Sequence, residues 1–226
     1  MVAEQFHEVQ KRILAACERA GRKREEVTLI AVSKTKPVAM LKEAYEAGAR
    51  DFGENKVQEI VEKYLQLPDS VRWHMIGHLQ TNKVRQVVGK AALIHSVDSF
   101  HLAKEIDKES GKKNIITDIL LEVNVAGEES KFGFCLEETE NALKEICQFQ
   151  NIRVRGLMTV APFVDYAEEN RQIFRKLHEF YVDMKSKNID NGTMGVLSMG
   201  MTGDFDVAIE EGATMVRVGT GIFGAR

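Results

Sequence analysis

Val27-Thr28-Leu29-Ile30-Ala31-Val32-Ser33-Lys34-Thr35-Lys36-Pro37 is an apolar, β-branched run that stops at a lysine. Its apolar residues are continuous, and Pro37 suits the first turn of a following helix, so the run reads as a buried strand with a helix after it. Lys34 then stands at a strand's carboxyl end. Ligands of α/β proteins gather at that end of parallel strands, so an amine delivered there is a candidate Schiff-base nucleophile. Such an amine must be partly neutral, and Lys36 is a candidate for the second cation that favours this. A solvated lysine that merely ends a strand is the ordinary alternative.

Outward from this run the same unit recurs. Before it, Phe6, Val9, Ile13 and Cys17 mark an amphipathic helix over about 3–20, closed by Gly21. After it come a helix from Pro37 to Gly48, a short strand at Arg50 to Asn55, and a helix through Val57, Ile60, Val61 and Leu65. Arg72 to Ile76 and Leu93 to Val97 are further strands, each followed by a helix, with Thr81 or Asn82 and Asp98 or Ser99 as expected caps. Ile115 to Val125 is the longest apolar run and leads into an unusually long polar loop, 124–133. Val154 to Met158, Gly195 to Ser198 and Thr214 to Val218 complete eight strands, with helices between them. Eight such units in 226 residues predict an α/β fold, a single (β/α)8 TIM barrel over 1–226 with an extra N-terminal helix. A doubly wound open sheet is the alternative.

Composition narrows the partners. Apolar residues make up 44% of the chain, enough for an ordinary core, while 31 basic against 34 acidic residues leave a net charge of −3. That balance offers no electrostatic footprint for nucleic acid or an anionic membrane, and no run reaches transmembrane length. The three cysteines, Cys17, Cys135 and Cys147, lack disulfide or zinc spacing. A cytoplasmic monomer without a leader segment, acting on a small molecule, is expected.

Two glycine-rich segments follow the seventh and eighth strands: Ser198-Met199-Gly200-Met201-Thr202-Gly203-Asp204 and Gly219-Thr220-Gly221. In barrels these are the loops that bind phosphate, because glycines let backbone N–H groups approach its oxygens. The hydroxyls of Ser198, Thr202 and Thr220 could add donors. Barrel closure sets strand eight beside strand one, so a phosphate there would lie one small aromatic ring from Lys34, the arrangement pyridoxal phosphate (PLP) needs. Alternation in Met215-Val216-Arg217-Val218-Gly219 puts Arg217 on the face opposite the valines, where a guanidinium could meet the pyridine nitrogen. A salt bridge to a loop carboxylate is its other reading.

The segments Ala31 to Lys36, Phe52-Gly53-Glu54-Asn55, Trp73 to Lys83, Arg155-Gly156-Leu157-Met158, Leu197 to Met201 and Val216 to Gly224 resemble the signatures of the pyridoxal phosphate homeostasis protein family over nearly the whole chain. The resemblance implies a barrel like the N-terminal domain of alanine racemase, with Lys34 as the amine that holds the cofactor. It implies Ser198, Gly200, Gly219 and Thr220 at the phosphate with Met199 and Thr202 beside them, Arg217 at the ring nitrogen, and Asn55 and Met158 lining the pocket. It further implies an intracellular carrier of PLP that supplies PLP-dependent apo-enzymes. The alternative is a PLP-dependent amino-acid racemase or lyase. That enzyme needs a second base, and Tyr45, Tyr64, Tyr166 and Tyr181 all fall outside the expected barrel mouth, leaving His78, Lys36 or Lys131. A third possibility is a sugar-phosphate barrel that uses Lys34 without the cofactor.

Overall fold

The structure is a computed structural model and describes every residue except 129, 130, 188, 190, 191 and 226. Strands Thr28–Val32 (β1), Asp51–Glu54 (β2), Arg72–Met75 (β3), Ala91–Val97 (β4), Thr117–Glu122 (β5), Ile152–Met158 (β6), Gly192–Met201 (β7) and Met215–Val218 (β8) pair in sequence order. β8 then returns to β1 in parallel, with Thr28 to Ala31 opposite Met215 to Val218. That pairing closes the barrel and excludes the open sheet. Helices Val2–Arg19 (α1), Val38–Glu46 (α2), Val57–Tyr64 (α3), Val84–Val87 (α4), Phe100–Lys112 (α5), Leu136–Ile146 (α6), Arg171–Ser186 (α7), Phe205–Glu210 (α8) and Thr220–Phe223 (α9) surround it.

Strand alternation divides the core in two. Outward residues such as Leu29, Ala31, Phe52, Trp73, Met75, Leu121, Val216 and Val218 pack against the helices. Inward residues form a smaller apolar plug of Leu93, Leu120 and Met158, joined by Val160, Val196 and Met215. Complete burial of a large apolar side chain contributes about 1.5–3 kcal/mol, so the outer shell carries most of the stability. Where β6 meets β7, Gly156 has φ +150° and a Cβ there would overlap the Val196 carbonyl, so the approach of the two strands admits only glycine.

α1 is the extra helix. Its buried stripe is Phe6, Val9, Ile13 and Cys17. On its exposed edge Arg12 pairs with Asp206 and Arg19 with Glu210 (2.7 Å), while Arg22, just beyond it, donates to the carbonyls of Ile209 (2.9 Å) and Ala213 (2.8 Å). The first helix is thereby fastened to the last βα units.

Several expected boundaries move for local reasons. β5 begins at Thr117 because Ile116 is exposed, and it ends at Glu122 because Val123 leaves the ladder for an isolated bridge to Phe134. Thr81 and Asn82 do not cap α4; they form a 3₁₀ turn, Thr81–Lys83, ahead of it. Ser99 does cap α5, accepting from the Leu102 N–H at 3.3 Å. Of the loop 124–133, Glu129 and Ser130 lie outside the described residues.

Candidate functional site

At the carboxyl end of the barrel a cavity of about 530 Å³ opens between the loops after β1, β2, β6, β7 and β8. Lys34, Asn55, Thr202, Gly203, Gly219, Thr220 and Arg217 line it together. Val32, Ile76 and Val160 make its walls apolar. Volume and lining suit a small ligand held by a few convergent polar groups.

Lys34 reaches the cavity because Val32 and Lys34 alternate inward while Ser33 points outward to the Glu54 carboxylate (2.6 Å). Behind Ser33, Lys63 donates to Glu54 (2.8 Å), to Glu59 (2.8 Å) and to the Ser33 carbonyl (3.0 Å). Burial pushes the Glu54 carboxyl up to about 7, against the opposing bonds from Lys63 and Ser33. Burial also acts to raise Glu59, but Lys63 and the Thr35 N–H outweigh it and hold Glu59 below the usual range. Thr35 has φ +64°, a left-handed conformation costing a β-branched residue on the order of 1–3 kcal/mol. Lys36, expected as a companion cation, is engaged elsewhere: its ammonium donates to the carbonyls of Phe223 (3.0 Å), Gly224 (3.1 Å) and Ala225 (3.0 Å).

The glycine-rich loops also line the cavity. The Thr202 hydroxyl accepts from the N–H groups of Gly219 (3.3 Å) and Gly221 (3.5 Å), bracing the turn into α9. Asp204 accepts from the Met201 N–H (2.7 Å) and from Asn170 (2.9 Å), which also holds the Pro162 carbonyl (2.9 Å) and so anchors the Phe163 rim of the cavity. Gly200 is buried under this loop at φ +91°, where a Cβ would strike Ala208. Its glycine therefore serves the packing of β7 on α8.

Three expected contacts take other places. The Ser198 hydroxyl is turned into the barrel, accepting from Arg217 (2.7 Å) and pairing with His95 (3.0 Å), so it serves Arg217 and does not line the cavity. Met199 faces outward into the helix-side core, and Met158 belongs to the apolar plug beneath the cavity. Of the expected side chains, Lys34, Asn55, Thr202, Arg217 and Thr220 line the cavity.

Arg217 is buried and is pinned by Ser198 and by the Thr159 carbonyl (2.8 Å). Burial lowers its guanidinium to about 10, with Glu122 and Asp204 opposing the shift. From Ser198 a chain continues through His95 and His74 (2.9 Å) to Asp51 (2.9 Å), where Arg72 also binds. With one proton on each ring, every link is satisfied in one direction: Arg217 donates to Ser198, Ser198 to His95, His95 to His74, and His74 to Asp51. Burial drives His95 well below the usual histidine range, with His74 and Arg217 adding to it, so an unprotonated Nδ1 is ready for Ser198.

With that geometry in place, known proteins can be set beside it. The model for the alanine racemase N-terminal domain matches residues 8–226. The chain belongs to the alanine racemase N-terminal domain family. Within that family it is 46% identical to the pyridoxal phosphate homeostasis protein of Aquifex aeolicus (strain VF5), over 99% of this chain and 97% of the relative. To the protein of the same name from Escherichia coli (strain K12) it is 37% identical, over 100% and 97%. The PipY protein of Synechococcus elongatus PCC7942, solved with PLP bound, superimposes with a TM-score of 0.85 at 35% identity, covering 99% of this chain and 100% of that one. An alanine racemase of Clostridium difficile 630 matches at TM-score 0.77 and 13% identity over 57% of its length, a likeness of fold.

In this alanine racemase N-terminal domain barrel, reading the sequence missed His74, His95, Asp51, Asn170 and the Glu54–Lys63–Glu59 group. Inward alternation at Asp51 and His74 was the available signal for part of the chain. His78, the expected alternative base, pairs with Asp98 (2.9 Å) and stacks on Phe132 (3.9 Å between centroids), and it does not line the cavity. Lys131 is exposed on the loop after β5. Tyr45 and Tyr181 spend their hydroxyls on Ser70 and the Met194 carbonyl.

Proposed function

We propose that this chain binds pyridoxal phosphate covalently through Lys34 and acts in the cell as a carrier of the cofactor, as one cofactor-binding domain over 1–226. The observation that carries the reading is that one cavity at the carboxyl end of the barrel is lined by Lys34, Arg217, Thr202, Gly203, Gly219 and Thr220. The residues fit the group: an amine for its aldehyde, backbone donors for its phosphate, apolar walls for its ring and a cation for its ring nitrogen. When bound, the cofactor supplies an aldehyde that amines capture reversibly. Thr202 holds the phosphate loop in shape, Arg217 presents an N–H and keeps its own proton, and Asn55 closes the side beside Lys34. Ser198 acts through Arg217. The names of relatives and the bound PLP of the PipY structure support this reading.

A carrier without catalysis is favoured because His78 is committed to Asp98 and Phe132 outside the cavity, and Asp204, the acidic side chain on the cavity lining among the described residues, is bonded to the Met201 N–H and to Asn170. Apo-enzymes that need the cofactor are the proposed recipients, the chain acts as a cytoplasmic monomer, and the near-neutral charge offers nucleic acid no footprint. The test is an absorption spectrum of wild type and Lys34→Ala with added pyridoxal phosphate, before and after borohydride. A visible band fixed covalently by borohydride in wild type alone supports the reading. A protein that takes up none of the cofactor overturns it, and exchange of amino-acid α-protons in D2O would replace the carrier with a racemase or lyase.

A further inference from the structure

Lys34 sits in a turn that its sequence does not favour. The Lys36 N–H donates to the Ser33 carbonyl (3.1 Å), making Lys34 and Thr35 the central residues of a four-residue turn. Thr35, the third of the four, has φ +64°. Glycine or asparagine is the usual solution at a left-handed third position, because a β-branched side chain crowds its own backbone there. An unsupported Ser-Lys-Thr-Lys segment would relax toward right-handed or extended backbone and swing the lysine with it.

What holds the turn lies on the other face of β1, away from the cavity. Glu59 accepts the Thr35 N–H at 2.7 Å, and Lys63 donates to the Ser33 carbonyl at 3.0 Å. These two bonds grip different peptide units: the Ser33 carbonyl belongs to the peptide entering Lys34, the Thr35 N–H to the peptide leaving it. With both planes fixed, the Cα–Cβ bond of Lys34 has one direction. Lys63 joins the two grips by bonding Glu59 and Glu54 (2.8 Å each), and Glu54 takes the Ser33 hydroxyl at 2.6 Å. Ser33, Glu54 and Lys63 are buried, and one Glu54 oxygen has no partner among the described residues.

Such a group is a poor device for stability alone. Burying a cation between two carboxylates gives up hydration that the pairing only roughly returns, and apolar replacements of equal volume are often as stable. Strain held by its surroundings at a reactive residue points instead to positioning. We propose that Glu59, Lys63 and Glu54 are positioning residues for Lys34, clamping the peptides on both sides of it so that a left-handed turn at Thr35 aims its amine into the cavity. The clamp rests on the reading of Lys34 as the attachment amine. It also ties Lys34 to Asn55, since Glu54 immediately precedes that cavity residue.

The experiment compares wild type, Glu59→Ala, Glu59→Gln and Thr35→Gly, the last alone and combined with Glu59→Ala, as intact protein. One readout needs no cofactor: competitive acetylation by acetic anhydride across pH, with mass spectrometry of the Lys34 peptide against other lysine peptides. The other is the rate at which added pyridoxal phosphate becomes borohydride-fixed on Lys34. Glu59→Ala is expected to shift the Lys34 acetylation profile and slow attachment by about tenfold, the scale of one lost charge-assisted hydrogen bond. Glu59→Gln, which keeps an acceptor oxygen, falls between. In the Thr35→Gly background the loss shrinks, because glycine holds the positive φ unaided. Unchanged Lys34 acetylation and attachment in Glu59→Ala, with only the melting temperature lowered, overturns the clamp. Should Glu59→Ala not fold, Glu59→Gln is judged by the same readouts. Wild type that takes up no pyridoxal phosphate, while Glu59→Ala still shifts Lys34 acetylation, retains the clamp and removes the cofactor reading.

Discussion

Inside the barrel, Arg217, Ser198, His95, His74 and Asp51 form a chain in which each donor meets one acceptor. Outside it, behind β1 and β2, one cation is shared among Glu54, Glu59 and the Ser33 carbonyl, and a carboxylate oxygen goes without a partner among the described residues. The inner chain passes from one hydrogen bond to the next and orients a guanidinium; the outer group gathers two acidic side chains around one lysine and orients a backbone. The difference follows from what each serves. Arg217 is buried and is oriented through its own N–H groups, whereas Lys34 is aimed through the peptides on either side of it.

The largest break in this comparison is expected at Lys63. Lys63→Met leaves two carboxylates without their cation and the Ser33 carbonyl with the Lys36 N–H alone, costing on the order of 3–5 kcal/mol in denaturant unfolding. A loss below 1 kcal/mol would show that the outer group is not ionic.

A pH series sharpens the contrast next. Glu54 and Glu122 are each raised from an ordinary 4.5 to about 7, burial being the first cause in both, with Asp98 adding to Glu122. A carboxyl whose folded value exceeds its unfolded one binds more protons in the native state, so its contribution to stability falls as pH rises from about 4.5 to 7 and is flat above. Each shift corresponds to an effect on the order of 3 kcal/mol at most. Glu54→Gln and Glu122→Gln should flatten the slope of stability over that window, measured by unfolding at fixed pH values. An unaltered slope would place the proton uptake elsewhere.

Ser198→Ala tests the inner chain. It deprives one Arg217 N–H and the His95 Nδ1 of their partner, for a loss of about 1–3 kcal/mol by unfolding and a weaker hold on added pyridoxal phosphate by equilibrium dialysis. Binding as tight as wild type would mean that the Thr159 carbonyl alone suffices to place the arginine. The smallest effect belongs to Thr35→Gly. Relief of the left-handed strain is offset by the greater freedom of unfolded glycine, leaving a change within about 1 kcal/mol in either direction.

How far the sequence carries differs between these regions for a physical reason. The eight strand–helix units, the extra helix and the places of Lys34 and of the Thr202 and Gly219–Thr220 loops at strand ends follow from local pattern, because each strand announces itself by an apolar run and each loop by its glycines; closure rests on the pairing of β8 with β1, which no local pattern contains. Arg217 was also within reach, since alternation along one strand places it inside. Ser198 and Met199 were not, because the hydroxyl of one answers to a histidine on β4 and the side chain of the other follows the pleat into the helix-side core. The clamp is less legible still. Its members lie on a strand, a turn and a helix, where Glu59 and Lys63 at i and i+4 look like an ordinary exposed helix pair until Ser33 and Thr35 are seen beneath them.

The pairing of β1 with β8 and the fastening of α1 to α8 carry a consequence for synthesis. While the chain emerges from the ribosome, β1 has only β2 on one side; its other edge has to wait for Met215 to Val218, and the arginines of α1 wait for Asp206 and Glu210. The glycine-rich loops that line the cavity arrive with those same residues. A truncated or stalled product would therefore present an unpaired strand edge, the feature that invites pairing with another chain.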